Sequence, residues 1–413
     1  MRLFLLASVS TLITFHFNTS YAQPSNQLKH VKGAEHSIIY YQEGRFAGWP
    51  ANCGAFIFDN GEIVTGFINA SFKITNSHNA EGPFLNWLAR SSDGGKNWNA
   101  WDPEHYAGDF GGRPTLKTLP SPINYKTPGF AMRVVGTSYH GAEDGRAHFF
   151  FSDDAGKSWN GPFGFGDLLS WPELTETGLN ELTPRTDYIV YDSNHCLLFF
   201  SARKKGVFGS DRLFCIETKD GGRTYQFRGW VIGPSGVVNS THHTKVELYE
   251  EPGKNPNADE CRAVMSQSQR LSDGTLVTLI RRKYIGKGGT DKHWIDAYVS
   301  TDGGSSWSLL SRVADTGDSN GNPPAFTLTK DGRLCVVYGE RNEGTIGVVY
   351  SKDRGKTWTV PQILMDGFWS EDMELNDLGY PRVVCRSDGK LVAMYYYSTR
   401  EYPHHLRATI WTP

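Results

Sequence analysis

The chain has 413 residues, a formal net charge of −2 and 21% charged residues. Near neutrality and without a basic block, it carries no electrostatic footprint for nucleic acid or an anionic membrane surface. Aromatics at 13% and 45 glycines suit short strands joined by tight turns, and no segment longer than about ten residues keeps a helical period.

In chain order, residues 1–22 read as a secretory signal. Arg2 precedes the apolar stretch Leu3 to Phe17, and Ser20-Tyr21-Ala22 forms a small-residue cleavage site before Gln23. The apolar run is too short to span a bilayer. Residues 23–413 are therefore expected to form a single domain that is secreted or periplasmic. Short alternating runs follow: "GEIVTGF", "RAHFFFS", "HCLLFFSAR", "TLVTLIRR", "WIDAYVS", "RLCVVYG", "GVVYS" and "KLVAMYYY". Each is bounded by turn residues and predicts a strand.

Between them one turn recurs: "SSDGGKNW" from Ser91, "SDDAGKSW" from Ser152, "TKDGGRTY" from Thr218, "STDGGSSW" from Ser300 and "SKDRGKTW" from Ser351. The frame is Ser/Thr-x-Asp-x-Gly-x-x-aromatic. The Asp caps its own turn, the Gly supplies positive φ, and the aromatic buries against a strand. Five copies of one frame mark a repeat. The spacings between the Asp residues, 61, 66, 82 and 51, accommodate one four-stranded sheet per copy. With the last unit, "YPRVVCRSDGKLVAMYYY", the prediction is an all-β propeller of six blades, and a seventh would fit in the 82-residue interval. "RATIWT" is expected to pair with "SIIYY" near the mature N-terminus, closing the ring without a free edge. The six cysteines lack a CxxC motif and mostly sit in strand-like runs, so they read as buried thiols with room for one or two disulfides.

On these repeated turns the sequence resembles the sialidase-type Asp-box (BNR-repeat) propellers, over nearly the whole mature chain. The resemblance implies that the boxes sit at the blade periphery and that chemistry lies over the central channel. It further implies three arginines on a substrate carboxylate, a Tyr nucleophile helped by a Glu, and an Asp acid/base. Tyr380, opening the last blade, matches the nucleophile; Arg281 and Arg341, at strand ends, match the second and third arginines. Other elements differ. "GRFAGWPANCGAF" stands where the first arginine belongs, with Arg45 five residues too early. The acid/base loop, "FKITNSHNAEGPFLNW", offers His78 and Glu81 but no Asp, and Gln267 in "VMSQSQ" replaces the Glu.

These losses of carboxylate favour β-elimination over hydrolysis. The resulting expectation is a secreted polysaccharide lyase acting on an acidic, uronate-containing and possibly sulfated algal glycan such as ulvan. An Arg would neutralise the uronate carboxylate, and Tyr and His would move the protons. The alternatives are a sialidase-like exo-glycoside hydrolase and a non-catalytic glycan-binding propeller. The candidate proton-transfer residues are Tyr188, Tyr380, His78 and His140. The candidate substrate contacts are Arg185, Arg281, Arg341, His243 and Gln267. Tyr188 leads because Arg185, Asp187 and Tyr188 crowd one strand start, and a phenolic base would give an alkaline optimum. No cofactor is required by this chemistry, although a structural metal ion would be compatible with it; a zinc site from His242, His243 and Cys261 has no motif spacing. The expected partner is the acidic polysaccharide itself, with no nucleic acid or membrane, and the protein is expected to be a monomer.

Overall fold

A computed structural model describes residues 28–413 except 76–77, 105, 107–114, 137–145, 208, 235–260, 285–290, 319 and 372–375. The signal segment, His140, His242 and His243 thus lie outside the described residues. The described residues form six sheets arranged as the blades of a β-propeller, antiparallel except where the short strand Lys29–His30 pairs in parallel with Gln362–Met365. Among the described residues helix is confined to three short turns, Pro50–Cys53, Leu168–Ser170 and Pro172–Thr175.

Blade I runs from the split inner strand Arg45–Gly48 and Ala55–Ile57 through Ile63–Phe72 and Ala80–Ser91 to Asn99–Trp101. Blade II is described by Ala131–Gly136, Ala147–Ser152 and Asn160–Gly164. Blade III carries Glu181–Leu182 and Tyr188–Val190 on the inside, then Cys196–Arg203, Arg212–Thr218 and Gln226–Ile232. Blade IV comprises Cys261–Arg270, Leu276–Tyr284, Lys292–Ser300 and Ser308–Asp315. Blade V comprises Ala325–Leu328, Leu334–Glu340, Thr345–Ser351 and Gln362–Met365. Blade VI takes Gly379–Cys385, Leu391–Tyr397 and His405–Trp411 from the C-terminus and Glu35–Tyr40 from the N-terminal part, paired antiparallel as expected. That closure pairs the last C-terminal strand and removes an edge open to aggregation.

Each Asp box links the last two strands of blades I to V. Blade VI has none, because its fourth strand comes from the other end of the chain. In the first box Ser91 Oγ donates to Asp93 Oδ1 (2.8 Å), which also accepts from the N–H groups of Lys96 (3.1 Å) and Asn97 (3.0 Å). Gly95 has φ of 96°, and a Cβ there would come within 3.0 Å of Val392 in blade VI. The box therefore also seals one blade against its neighbour, which is why this position takes glycine.

The core lies between blades, as apolar clusters fed by alternate residues of facing sheets. All six cysteines are thiols, five of them buried and Cys385 half-buried, so none of the disulfides allowed by the sequence forms. Strand direction separates two ends of the molecule. In blade V, Leu334 pairs with Ser351 at the box end and Glu340 with Thr345 at the other end. Six residue steps at ~3.3 Å each put about 20 Å between boxes and mouth.

Candidate active site at the propeller mouth

Tyr380 opens the inner strand of blade VI with φ of 43°, a left-handed conformation unusual for a bulky residue. Its backbone N–H is held by Asn322 Oδ1 at 2.7 Å. Trp49, Met265 and Asn320 are also left-handed, at φ of 57°, 58° and 45°. Trp49 packs against His78, Met265 Sδ touches Arg281, and Asn320 touches both Arg281 and His78. Backbone strain thus gathers around one point, as it does at functional sites.

Arg281 lies in the second strand of blade IV, three residues before its end at Tyr284, and its Nη1 donates to Tyr380 Oη at 3.0 Å. Its Nη2 donates to Asn320 Oδ1 at 3.2 Å. The Asn320 amide nitrogen in turn lies 3.4 Å from His78 Nε2. On its other side His78 Nδ1 is 2.8 Å from Asp377 Oδ1. The His78 ring meets Trp49 at 5.0 Å and Tyr380 edge-on at 5.7 Å between centroids. Asp377 is fully buried and also accepts from Arg341 Nη2 (3.2 Å), the N–H of Asn79 (3.0 Å) and the Tyr396 hydroxyl. Arg341, likewise buried, spends further donors on Leu378 O and Tyr396 Oη. Among the described residues Arg281 Nε and Arg341 Nη1 have no hydrogen-bond partner.

Electrostatics follow from this arrangement. Burial alone would push the Tyr380 phenol up, but Arg281, His78 and Arg341 outweigh it and pull the phenol down to about 7. Burial also opposes the charge on Asp377, yet His78, Arg341 and Tyr396 hold it well below the ordinary carboxylate range. Burial lowers the Arg281 guanidinium, with Tyr380 opposing that shift. The mouth therefore holds an ionisable phenol, an imidazole backed by a carboxylate, and guanidinium donors aimed at the same place. Such a group can supply a nucleophile or a proton acceptor at neutral pH.

The structure brings together four of the residues singled out from sequence: His78, Tyr380, Arg281 and Arg341. Tyr188 is elsewhere, and its place as leading proton-transfer tyrosine is corrected. It pairs with Leu198, which pairs with Ile216, two residues before the box that opens at Thr218. Its hydroxyl accepts from the N–H of Met132 at 3.1 Å, its ring meets Phe130, and burial pushes its phenol above the ordinary tyrosine range. Strand direction sends Tyr188 toward the box end. Arg185, assigned to substrate, is buried, with Nε on Asn52 Oδ1 at 2.9 Å and Nη1 on Pro184 O at 3.1 Å. Those bonds tie the helix Pro50–Cys53 to blade III. Asp187 makes its bonds to Ser266 and Ser268. Gln267 follows the bulge at Met265 and donates to Thr186 O and Ser266 O, at 3.2 and 2.8 Å. His140 and His243 fall outside the described residues. Among the described residues no group of three or more His, Cys, Asp or Glu is arranged to hold a metal ion.

Sequence reasoning missed Asp377, Asn320, Asn322 and Arg382. Arg382, buried two residues after Tyr380, donates to Ala51 O and to Thr186 O (2.9 Å); burial lowers it to about 10, with Asp187 opposing. Asp377 and Arg382 flank Tyr380 in "DLGYPR", so inspection of residues beside the matched tyrosine could have found both. The asparagines lie in "SNGNPP", which reads as an ordinary turn.

Residues 252–394 match the family model described as a BNR repeat-like domain. No curated protein matches the chain in sequence. Among solved structures the chain is similar to a Dyadobacter fermentans protein of unknown function, at 18% identity and TM-score 0.64, covering 92% of this chain and 99% of that one. It is also similar to the GH93 α-L-arabinofuranosidase of Fusarium graminearum solved with arabinobiose, at 13% identity and TM-score 0.55, covering 90% and 94%. Trypanosoma rangeli sialidase aligns at 13% identity and TM-score 0.58, covering 92% of this chain and 59% of that one. At these identities the likeness is one of fold: a six-bladed BNR propeller resembling those of sialidases and GH93 enzymes.

Proposed function

We propose that this protein is a glycoside hydrolase acting on an acidic sugar, with Tyr380 as nucleophile, His78 as the base that activates it and Asp377 as the group that orients His78. The observation that carries this reading is the buried phenol of Tyr380, bonded to Arg281 at 3.0 Å and drawn down to about 7 beside the His78–Asp377 pair. A nucleophile, an adjacent base and a third group orienting the base are the parts that nucleophilic catalysis needs. They stand in for the Tyr–Glu pair implied by the sialidase resemblance.

In the proposed reaction Tyr380 Oη bonds to the anomeric carbon as His78 Nε2 takes the phenolic proton. The glycosidic C–O bond breaks, and the departing oxygen receives that proton from the imidazolium. Water then attacks the sugar on Tyr380 and gives a proton to His78, and the phenol is restored from it. The acidic sugar is supported by three buried guanidiniums near Tyr380, Arg281, Arg341 and Arg382, each with one nitrogen that lacks a partner among the described residues. Fold similarity to two classes of carbohydrate hydrolase supports the choice over elimination by analogy only.

Elimination on a uronate polysaccharide remains a second reading, because the same phenol at about 7 would serve as a general base for a proton beside a carboxylate. One experiment separates them. Sialosides, arabino-oligosaccharides and uronate polysaccharides are incubated with the protein, and new reducing ends and the ultraviolet absorbance of an unsaturated uronate are followed together. Reducing ends alone, with a sugar trapped on Tyr380 by mass spectrometry, support hydrolysis; the unsaturated product overturns it in favour of elimination. Retained binding with neither signal leaves a glycan-binding propeller.

A further inference from the structure

The direction of each hydrogen bond around His78 can be fixed from groups that are able only to donate or only to accept. A guanidinium has no acceptor. Arg281 Nη2 lies 3.2 Å from Asn320 Oδ1, so the amide must keep its oxygen toward Arg281. Its nitrogen is then turned to His78 Nε2, at 3.4 Å, and an amide nitrogen only donates. On the opposite side His78 Nδ1 is 2.8 Å from Asp377 Oδ1, and an ionised carboxylate only accepts.

We propose that Asn320 is a positioning residue that, with Asp377, holds resting His78 as the neutral tautomer protonated on Nδ1, leaving Nε2 bare and ready to accept a proton. The inference rests on the reading of His78 as a proton-transfer group and sharpens it: the first proton to move goes onto His78, not off it. In the first step of the proposed reaction, Tyr380 Oη–H breaks, Nε2–H forms, and the phenolic oxygen keeps the electron pair with which it bonds to carbon.

The loop that carries Asn320 is built to hold this aim. Asn320 has φ of 45°. At Gly321 a Cβ would fall 2.2 Å from His293 Cβ and 2.5 Å from Thr316 Oγ1, so the loop is pressed onto blade IV. Asn322 then fixes the Tyr380 N–H from the same loop. The groups facing His78 are Asp377 at Nδ1, Tyr380 at the ring edge, Trp49 on its flank and Arg281 through Asn320, with Arg341 behind Asp377. Among the described residues no acceptor bonds its Nε2, so nothing there favours a proton on Nε2 at rest.

The test reads the tautomer directly, in the full-length protein and without substrate. Long-range proton–nitrogen correlation spectra of histidine-labelled protein are recorded near neutral pH. His78 is assigned through His78→Gln or, if that variant does not fold, through contacts to the Trp49 ring. A pyrrole-type Nδ1 and a pyridine-type Nε2 are expected; a protonated Nε2 with bare Nδ1 overturns the proposal. Asn320→Asp places an acceptor where the amide donor was, and should draw the imidazole proton toward Nε2, so that a pyrrole-type Nε2 signal appears. An unchanged pyridine-type Nε2 in folded Asn320→Asp also overturns it. Because neither readout uses turnover, failure of the hydrolase reading and failure of this tautomer assignment are separately visible.

Discussion

Two aspartates at opposite ends of the blades show how differently a carboxylate can be held. Asp93 in the first box is exposed to solvent, and the Asn97 N–H leads the contacts that bring it down to about 2, with Asn97 Nδ2, Ser91 and Lys96 adding to it. All of those partners lie within four residues of it. Asp377 at the mouth is fully buried, and burial works against its charge; it stays ionised through His78, Arg341 and Tyr396, which come from three other segments. The first arrangement can form as soon as the turn forms. The second exists only when blades I, V and VI have closed. The difference sorts the consequences of mutation: the box end should report on stability and the mouth end on chemistry.

The largest expected contrast is between two tyrosines. Tyr380→Phe removes the ionisable oxygen on Arg281 and should lower kcat/KM on the order of 10³-fold or more with the fold intact. Tyr188→Phe should leave turnover unchanged and cost about 1 kcal/mol of stability by unpairing the Met132 N–H. Steady-state kinetics beside thermal melts decide it; an inactive Tyr188→Phe would move the chemistry off the mouth.

Asp377→Asn should cut kcat by about 10²-fold or more by releasing the orientation of His78. It should also destabilise by roughly 3 kcal/mol, since Arg341 stays buried without its counter-charge. If turnover survives while melting falls, Asp377 is a structural anchor and the contrast with Asp93 collapses.

The pH dependence should differ between the two ends. Tyr380 is depressed from the usual value of 10.0 to about 7, so its phenolate is present above that point and lost as pH falls through it. The proposed step passes the phenolic proton through His78 to the departing oxygen, so activity should fall on the alkaline side, with a limb near pH 7 where that proton is lost. Arg281→Lys, which loses the fork geometry, should move that limb upward. Asp93 is depressed from 3.8 to about 2, so the stability it contributes is present above 3.8 and lost as pH falls through about 2. Melting temperature against pH for the parent and Asp93→Asn should converge in that acid window, with no matching change near pH 7.

The smallest effect should come from Asp302→Ala, on the order of 1 kcal/mol of stability through loss of turn capping, with turnover of the folded fraction unchanged. A large drop in kcat at unchanged melting temperature would give the boxes a part in the chemistry.

What the sequence determined by itself is local. The Ser/Thr-x-Asp-x-Gly frame specifies its own turn, because the bonds of the Asp carboxylate go to residues two to four positions away. Five such turns between period-2 runs then require a repeated antiparallel sheet, and the propeller and its N-to-C closure follow from the need to remove edges. His78, Tyr380, Arg281 and Arg341 were visible as strand-end and loop positions matching a known pattern. What only the tertiary structure decided is which end of the blade each side chain reaches and what it meets there. Tyr188 and Tyr380 both stand near the start of a strand, yet the inner strand of blade III begins at Glu181, so Tyr188 is already far along toward the boxes. The bonds that make the mouth reactive join residues 299 positions apart for His78–Asp377 and 99 apart for Arg281–Tyr380. Such partners carry no periodicity or spacing signal, because closure of the ring, not proximity in the chain, sets their distance.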